Sequence, residues 1–502
     1  MLENLLNIRF EVLLAIVVAI IAYVIRSVIY NKKKNYPPGP TGLPLVGYVP
    51  YLRSDVHLQF VELSKKYGEV FSLRLGSQDV IVLNGTSSIR EAFSKSEFLG
   101  RPPSGSFTVF EKAAGSPFFA HNLNVWQEQR RFVVSTMKDL GLGKSKIEQH
   151  IQDEIVQFMK TLKRYGGKPM NLLEPLTPSV SNNICALAFG KRYDYTDPER
   201  KQLDKNLEET AKVIAQTAAH IFFPWVRYFL KIPFVLEFLN LKEGMKASIN
   251  NDALIRKKIK EHRDTLDNKN VRDFVDSYLI EMEIRKEKMP GTTFSDTTLV
   301  GTVGDLFGAG TETIRTTLTW CMYIMAAYPD VQKRVEQEIL DTLGPDRLPE
   351  IADLKEMPFT HSVILEILRW KTTVPLNLLR YTSADTTVAG YDIPKNTTVM
   401  TNFWAVHHDP NNWKDPDSFQ PERFLSADKK SVIKSQHYMP FSIGRRVCPG
   451  EAMAYMEVFL YFASLLQKFQ VKFPEGVKPT FDSELTITYH PKPYKICFIS
   501  KE

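Results

Sequence analysis

Ten residues near the C-terminus concentrate the chemistry of this chain: Phe441-Ser-Ile-Gly444-Arg445-Arg446-Val-Cys448-Pro-Gly450. A single cysteine stands between glycines and arginines, directly ahead of an apolar run over residues 452–466 that has helical character. Gly444 and Gly450 would let a loop turn tightly and bring backbone N–H groups to the sulfur. Arg445 and Arg446, with the positive end of the following helix, would favour the thiolate over the thiol. A thiolate held this way suits a soft or borderline metal, and haem iron takes such a ligand where an O–O bond has to be broken. The plainer alternative is a buried structural cysteine beside a turn.

A second group of residues, Asp305-Leu-Phe-Gly308-Ala309-Gly310-Thr311-Glu312-Thr313, falls mid-way along a predicted helix over 295–328. Two glycines and several β-branched residues are poor choices for a helix interior. That conflict points to function, because small residues let a flat ligand approach the backbone and a threonine can bond back to a carbonyl. Glu312 and Thr313, an acid beside an alcohol, could relay protons; a locally loose helix is the alternative. Trp126-Gln-Glu-Gln-Arg130 places an indole and a guanidinium one helical turn apart. Both groups only donate hydrogen bonds, which suits a carboxylate ligand such as a propionate. Glu366-Ile-Leu-Arg369 can form an ion pair on one helix face. The same spacing recurs at Glu128 and Arg131 and at Glu312 and Arg315, so spacing alone says nothing.

The elements that must position these residues are mostly helical. Beyond 295–328, helical patterns cover 146–162, 204–219, 245–268, 329–343 and 361–371. Phe71 to Gly76 and Val80 to Leu83 read as a β-hairpin, with short strands at 386–391, 397–402 and within 486–498. The expected fold is mainly α with small β-sheets: one domain over 41–502 behind a basic, proline-rich hinge at 31–40 and an N-terminal transmembrane helix within 1–30. Residues 12–25 carry no charge, and the apolar stretch reaches Tyr30 across Arg26 and Ser27. At about 1.5 Å per residue this nearly spans a hydrocarbon core of about 30 Å. Lys32, Lys33 and Lys34 follow at once, which puts the body of the protein on the cytosolic side. A cleavable signal peptide fits less well, since no small-residue cleavage site follows. The stretch 221–240 is rich in aromatic residues and carries Pro224 and Pro233, consistent with ordinary core or with a surface that dips into the same membrane. Net charge is +7 over 502 residues, too dilute to imply nucleic acid. The four cysteines, Cys185, Cys321, Cys448 and Cys497, lie far apart and fit neither a zinc site nor a disulfide framework.

The decapeptide matches the F-x-x-G-x-R-x-C-x-G haem-binding signature of the cytochrome P-450 family at all its fixed positions, and the chain is identified as resembling that family. Gly308 to Thr313 resembles its oxygen-binding helix, with Ile314 where a second hydroxyl is usual. Trp126 and Arg130 resemble its W-x-x-x-R element, while Glu366, Arg369 and Arg423 (within Pro421-Glu-Arg423-Phe424) match its structural triad. Local echoes place the chain near the microsomal drug- and steroid-metabolising branch. The resemblance implies haem b with Cys448 as metal ligand, Phe441, Gly444, Arg446 and Gly450 cradling it, and Trp126, Arg130 and Arg380 on the cofactor. It implies Thr313 and Glu312 in proton delivery, and insertion of one oxygen atom from O2 into a lipophilic small molecule: a steroid, fatty acid or foreign compound. No flavin, nicotinamide or iron–sulfur fingerprint is present, so electrons would come from NADPH–cytochrome P-450 reductase, with cytochrome b5 as a second partner. Arg131, Lys138, Lys144, Lys146 and Arg445 are candidates for the docking face. Segments 103–119, 204–241, 303–309, 373–379 and 486–488 would line the substrate pocket, Phe107, Phe110, Phe118, Phe119 and Phe307 making it apolar. The implied location is the endoplasmic reticulum membrane, single-pass, with membrane lipid as a contact and no nucleic acid. Two other readings keep the haem: a reductase-independent isomerase or dehydratase, and a non-catalytic haem sensor.

The lysine run after Tyr30 generates a test of topology. Asn84-Gly-Thr86 and Asn396-Thr-Thr398 are glycosylation sequons. Synthesis in the presence of microsomes should leave both unmodified, and a glycosidase-sensitive mass shift at either asparagine would reverse the orientation.

Overall fold

The computed structural model describes residues 35–103, 116–118, 120–140, 146–217, 222–223, 229, 232–239 and 241–501, together with Val18 and Ala22. The expected anchor otherwise lies outside the described residues, as do Lys32 to Lys34. Among the described residues no helix is long and apolar enough to cross a membrane. The fold is mainly helical with small sheets. The chain divides into two compact units, Met1–Pro102 with Leu376–Ala405, and Pro103–Pro375 with Val406–Glu502. Each is built from separated segments, so no linker marks them in the sequence.

The first unit is built on a sheet. Helix α1 (Val56–Tyr67) precedes strands β1 (Val70–Leu75) and β2 (Gln78–Leu83), followed by α2 (Thr86–Ser94). β1 and β2 form the predicted hairpin, with Leu73 opposite Val80 and the chain reversing through Gly76 at φ +56°. From the later segment, β3 (Arg380–Tyr381) and β6 (Thr398–Thr401) complete a sheet of order β1-β2-β6-β3. The run 386–391, expected as one strand, instead ends at Val388 and turns. β4 (Thr386–Val388) and β5 (Tyr391–Ile393) pair through Ala389 (φ +51°) and Gly390 (φ +80°), the double left-handed geometry of a tight hairpin turn. The described part of the proline-rich hinge, residues 35–40, is non-helical and lies along β1. Ser72 donates from its N–H to the Pro38 carbonyl (2.8 Å) and from its hydroxyl to that of Pro37 (2.7 Å). Gly39 approaches so closely that a Cβ there would sit 1.6 Å from the Ser72 carbonyl oxygen. Asn84 is buried and accepts from Asn402 Nδ2 (3.0 Å), so Asn396, exposed at a turn, carries the glycosylation test.

The second unit is helical: α3 (Leu123–Asp139), α4 (Lys146–Arg164), α5 (Leu173–Phe189), α6 (Pro198–Thr217), α7 (Pro233–Phe238), α8 (Lys242–Asp264), α9 (Phe274–Lys288), α10 (Asp296–Ala327), α11 (Pro329–Leu343), α12 (Pro358–Trp370) and α13 (Glu451–Lys468). Two short antiparallel pairs, β7 (Phe469–Lys472) with β10 (Cys497–Ser500) and β8 (Ser483–Leu485) with β9 (Tyr489–Pro491), close its C-terminal part. α10 is the longest helix and begins where its cap dictates, the Ser295 hydroxyl accepting from Thr298 N (3.1 Å). It ends ahead of Pro329, which itself opens α11 and forces Tyr328 out of helical conformation. Pro233 does not merely break a helix: it occupies the first turn of α7, where a proline costs no hydrogen bond. On that helix Phe234 and Phe238 stack at 6.4 Å and are 74 % and 76 % exposed.

Two buried polar clusters organise this unit. In the first, Glu366 and Arg369 on α12 are both fully buried and doubly bonded, Arg369 Nε to Oε2 and Nη2 to Oε1 at 2.7 Å each. Arg423 donates to the same carboxylate (Nε to Oε1, 3.1 Å), completing the expected triad. Arg369 also reaches the His407 carbonyl (2.6 Å). His407 Nε2 accepts from Met439 N (3.1 Å), which leaves Nδ1 to donate to the Thr372 hydroxyl (2.7 Å). In the second cluster, Glu457 on α13 accepts from Asn183 Nδ2 (3.3 Å), while the buried Asn183 Oδ1 has no partner among the described residues. Burial pushes the Glu457 carboxyl up to about 8, the Asn183 bond pulling the other way. Tyr461 and Ser179 face the same cluster (2.7 Å apart), and Glu154 on α4 bonds the neighbouring Asn182 (3.1 Å).

Both clusters are testable in solution. Glu366→Ala strands Arg369 as an uncompensated buried cation and should cost roughly 3–5 kcal/mol in denaturant unfolding; an unchanged midpoint would show the pair to be dispensable. Glu457 holds a proton in the folded state that the unfolded chain releases near its ordinary carboxyl value. Stability should therefore fall as pH rises from about 4.5 to about 8, by up to ~1.4 kcal/mol per unit, and then level off. Glu457→Gln removes that loss, so its advantage over the parent protein should widen across this window. Parallel pH curves for the two proteins would refute the assignment.

Candidate active site

The Cys448 loop takes its shape from backbone bonds. Cys448 N donates to the Phe441 carbonyl (2.9 Å) and Val447 N to that of Gly444 (3.0 Å). Gly444 stands at φ +75°, which requires a glycine there in all but strained cases, and Ser442 at φ +67°. Gly450, at φ −95°, serves as the N-cap of α13, with its N–H directed at the sulfur. The cationic help also comes from elsewhere. Burial pushes the Cys448 thiol up, while the Gly450 N–H and the Arg130 charge pull it down and Glu451 opposes them. Arg445 is exposed. Arg446 is buried, lies 3.8 Å over the Trp126 ring and donates to the Phe118 carbonyl (3.1 Å). Phe441 packs on Tyr455 at 4.9 Å between ring centres.

Trp126 and Arg130 are brought to this loop by α3, whose N-cap Asn122 accepts from Asn124 N (2.9 Å). Arg130 Nη2 donates to the Val447 carbonyl (2.6 Å), and burial lowers its pKa against the pull of Cys448. Trp126 is 2 % exposed, and its indole N–H is buried without a partner among the described residues. A buried donor left unpaired costs about 1–3 kcal/mol unless an acceptor completes it. An orphan indole donor beside an arginine and a cysteine loop fits a ligand that brings anionic oxygens, as haem propionates do. Arg380 belongs to the first unit, on β3, buried, with its guanidinium 4.4 Å from the Phe93 ring.

On α10 the two glycines have different reasons. A Cβ at Gly310 would meet Ile184 Cδ1 at 2.5 Å, so Gly310 lets α5 pack closely. A Cβ at Gly308 would meet nothing within 4 Å, and Gly308 and Ala309 are exposed in mid-helix. That open face is what a flat ligand needs. Thr313 Oγ1 donates back to the Ala309 carbonyl (2.7 Å), the expected back-bond. Glu312 is held by Arg315 and by the Thr488 hydroxyl (3.0 Å). Ile314 is buried in the core and offers no hydroxyl; Thr317 bonds to the Thr313 carbonyl (2.9 Å). Phe307 turns away from this face and packs on Phe189 at 5.6 Å. Phe107, Phe110 and Phe119 lie outside the described residues, as does Lys144.

Asp305 falls in the segment 303–309 expected to line the pocket, with no individual role assigned to it. Its carboxylate accepts from the Ser116 hydroxyl (2.8 and 2.7 Å), and burial pushes it up to about 7 against that bond. The available signal was that Asp305 is the lone charge between Leu299 and Gly310.

A family model described as Cytochrome P450 matches residues 37–498. Curated relatives include cytochrome P450 2U1 of Bos taurus, 35 % identical over 497 residues and covering 93 % of this chain and 90 % of that one. Cytochrome P450 2U1 of Rattus norvegicus is 36 % identical over 484 residues, covering 92 % and 90 %. Cytochrome P450 2J2 of Homo sapiens is 36 % identical over 476 residues, covering 93 % and 92 %. Proteins of this family bind haem b through a cysteine thiolate. With the match running from the hinge to the last strand, this chain belongs to the cytochrome P450 family and is a haem-thiolate monooxygenase.

Proposed function

We propose that this enzyme inserts one oxygen atom from O2 into a lipophilic small molecule (a steroid, fatty acid or foreign compound) at the endoplasmic reticulum membrane. Its electrons come from NADPH–cytochrome P-450 reductase, with cytochrome b5 as a further partner. One observation carries the reading: α3 and the cysteine loop, far apart in sequence, meet where Arg130 bonds the Val447 carbonyl and the buried Trp126 N–H has no partner among the described residues. Haem, bound there, supplies the activation of dioxygen. Cys448 is its thiolate ligand, held in the turn closed on the Phe441 carbonyl. Phe441, Gly444, Arg446 and Gly450 shape the loop around it. Trp126 Nε1 and Arg130 would bind propionate oxygens, and the resemblance assigns Arg380 the same role.

Thr313 Oγ1 would be the proton-handling atom: its hydroxyl, bonded to the Ala309 carbonyl, can turn from it to hold or pass a proton at the open face of α10. Glu312, once its contact with Arg315 opens, would take up a proton from water and pass it toward the Thr313 hydroxyl. The open face at Gly308 and Ala309 leaves room for substrate, and Asp305 with Ser116 bounds it. The exposed Phe234 and Phe238 support contact of α7 with lipid, beside an anchor within residues 1–30. Exposed Arg131, Lys138 and Arg445 support a basic face for the reductase.

The test is a reconstituted mixture of enzyme, reductase and a binding substrate, measuring product and hydrogen peroxide per NADPH consumed. Cys448→His should lose the red-shifted Soret band of the ferrous carbon monoxide complex, while alanine at Cys185, Cys321 or Cys497 keeps it. Thr313→Ala should keep the haem but release peroxide in place of product, with coupling falling by up to roughly 10²-fold. Unchanged coupling would make Thr313 structural. Turnover without NADPH would favour a reductase-independent isomerase or dehydratase, and no turnover at all a haem sensor.

A further inference from the structure

α3 has a second working face. At about 100° per residue, Trp126, Arg130, Val133 and Met137 share one stripe, and Glu128, Gln129 and Phe132 another. The Glu128 carboxylate is fully engaged. Oε1 accepts from Arg285 Nη1 (2.8 Å) and the Thr292 hydroxyl (2.7 Å), and Oε2 from Thr293 N (2.9 Å) and the Thr293 hydroxyl. Gln129 Nε2 donates to the same Thr293 hydroxyl (3.0 Å), and its Oε1 accepts from the Tyr278 hydroxyl (3.0 Å). Phe132 packs edge-on against Tyr278 and Phe294 at 5.2 and 5.3 Å. Arg285 ends α9, and Thr292 and Thr293 lead directly to Ser295, the cap of α10. One carboxylate thus joins α3 to the end of α9 and to the loop that launches α10.

We propose that Glu128 is a positioning residue for the haem site. It sets the rotation of α3, and with it the directions of Trp126 Nε1 and the Arg130 guanidinium, relative to the helix that carries Thr313. The proposal rests on the haem reading above. The Glu128–Arg285 ion pair is partly exposed, and such a pair is worth little as charge alone. What it offers is direction: four donors from two segments, the end of α9 and the loop ahead of α10, fix both oxygens. Their hydrogen bonds hold the carboxyl below its ordinary range although burial opposes them. A rotation of α3 that the cysteine loop alone permits would break several of these bonds at once.

The experiment uses the full-length haem-loaded protein and measures the rate of haem transfer to an acceptor apoprotein, with the ferrous carbon monoxide spectrum as a second readout. Glu128→Gln should keep the thiolate band, since Cys448 is untouched, yet lose haem about tenfold faster, the scale usual when a supporting residue is removed. Arg130→Gln should do likewise. The double variant should fall short of the product of the two single effects, because the Arg130 part is shared and only the Trp126 part adds. Glu281→Ala, which removes the other carboxylate on Arg285, should leave the rate unchanged. Thr293→Val, lacking one donor, gives the same test at smaller amplitude should Glu128→Gln fail to accumulate. A folded Glu128→Gln with the parent rate, or rates that multiply independently in the double variant, would overturn the proposal. A parent protein without a thiolate band would overturn the haem reading, and the proposal with it.

Discussion

The active-site loop depends on a carboxylate that never touches it. Glu366, sealed in the interior with two arginines, locks α12 to the segment around Arg423. Arg369 then holds the His407 carbonyl, and the His407 ring holds Met439 N, two residues ahead of Phe441. Three charges taken largely out of water are tolerable only because both carboxylate oxygens and most of the guanidinium protons have partners. That completeness gives the loop a fixed platform. A neutral, well-packed replacement would serve stability as well, but it would not direct donors at the carbonyls of His407, Lys414, Asp415 and Ser418.

Around that platform the site is assembled from pieces with unlike physical characters. The cysteine loop is shaped by left-handed backbone at Gly444, where glycine allows it, and at Ser442, where it costs strain. α3 contributes two donors from one stripe and is steadied on the other by Glu128. α10 contributes an absence, the bare face at Gly308, framed by Thr313 and by the Asp305 clasp to Ser116. Electrostatics at the sulfur are a contest: burial resists the thiolate, and Arg130 with the Gly450 N–H favours it.

Features carried by neighbouring residues were legible in the sequence. The Cys448 decapeptide, the Trp126–Arg130 pair and the back-bonding Thr313 are local patterns, and the structure realises their geometry. The capped start of α10 and the β1–β2 hairpin were equally plain. The E-x-x-R spacing was not decisive. Glu366 and Arg369 pair in the core, Glu312 and Arg315 pair nearer the surface, and Glu128 ignores Arg131 for Arg285. Only tertiary environment separates these outcomes. Asp305 with Ser116, Glu128 with Thr293 and Glu457 with Asn183 join residues more than 150 positions apart, beyond any local pattern. The β4–β5 hairpin was missed because Ala389, an unusual residue for a left-handed turn position, hides the turn.

The relay through His407 bears on how portable the cysteine motif is. Grafted onto another scaffold, the ten residues would bring the Gly444 turn and the sulfur. They would leave behind the imidazole that pins Met439, the carbonyl bond from Arg130 and the indole under Arg446. Such a graft would carry the signature without the rigidity that keeps a sulfur on station beneath a metal. A transplant that keeps the geometry has to bring α12 and the strand of chain around His407 along with it.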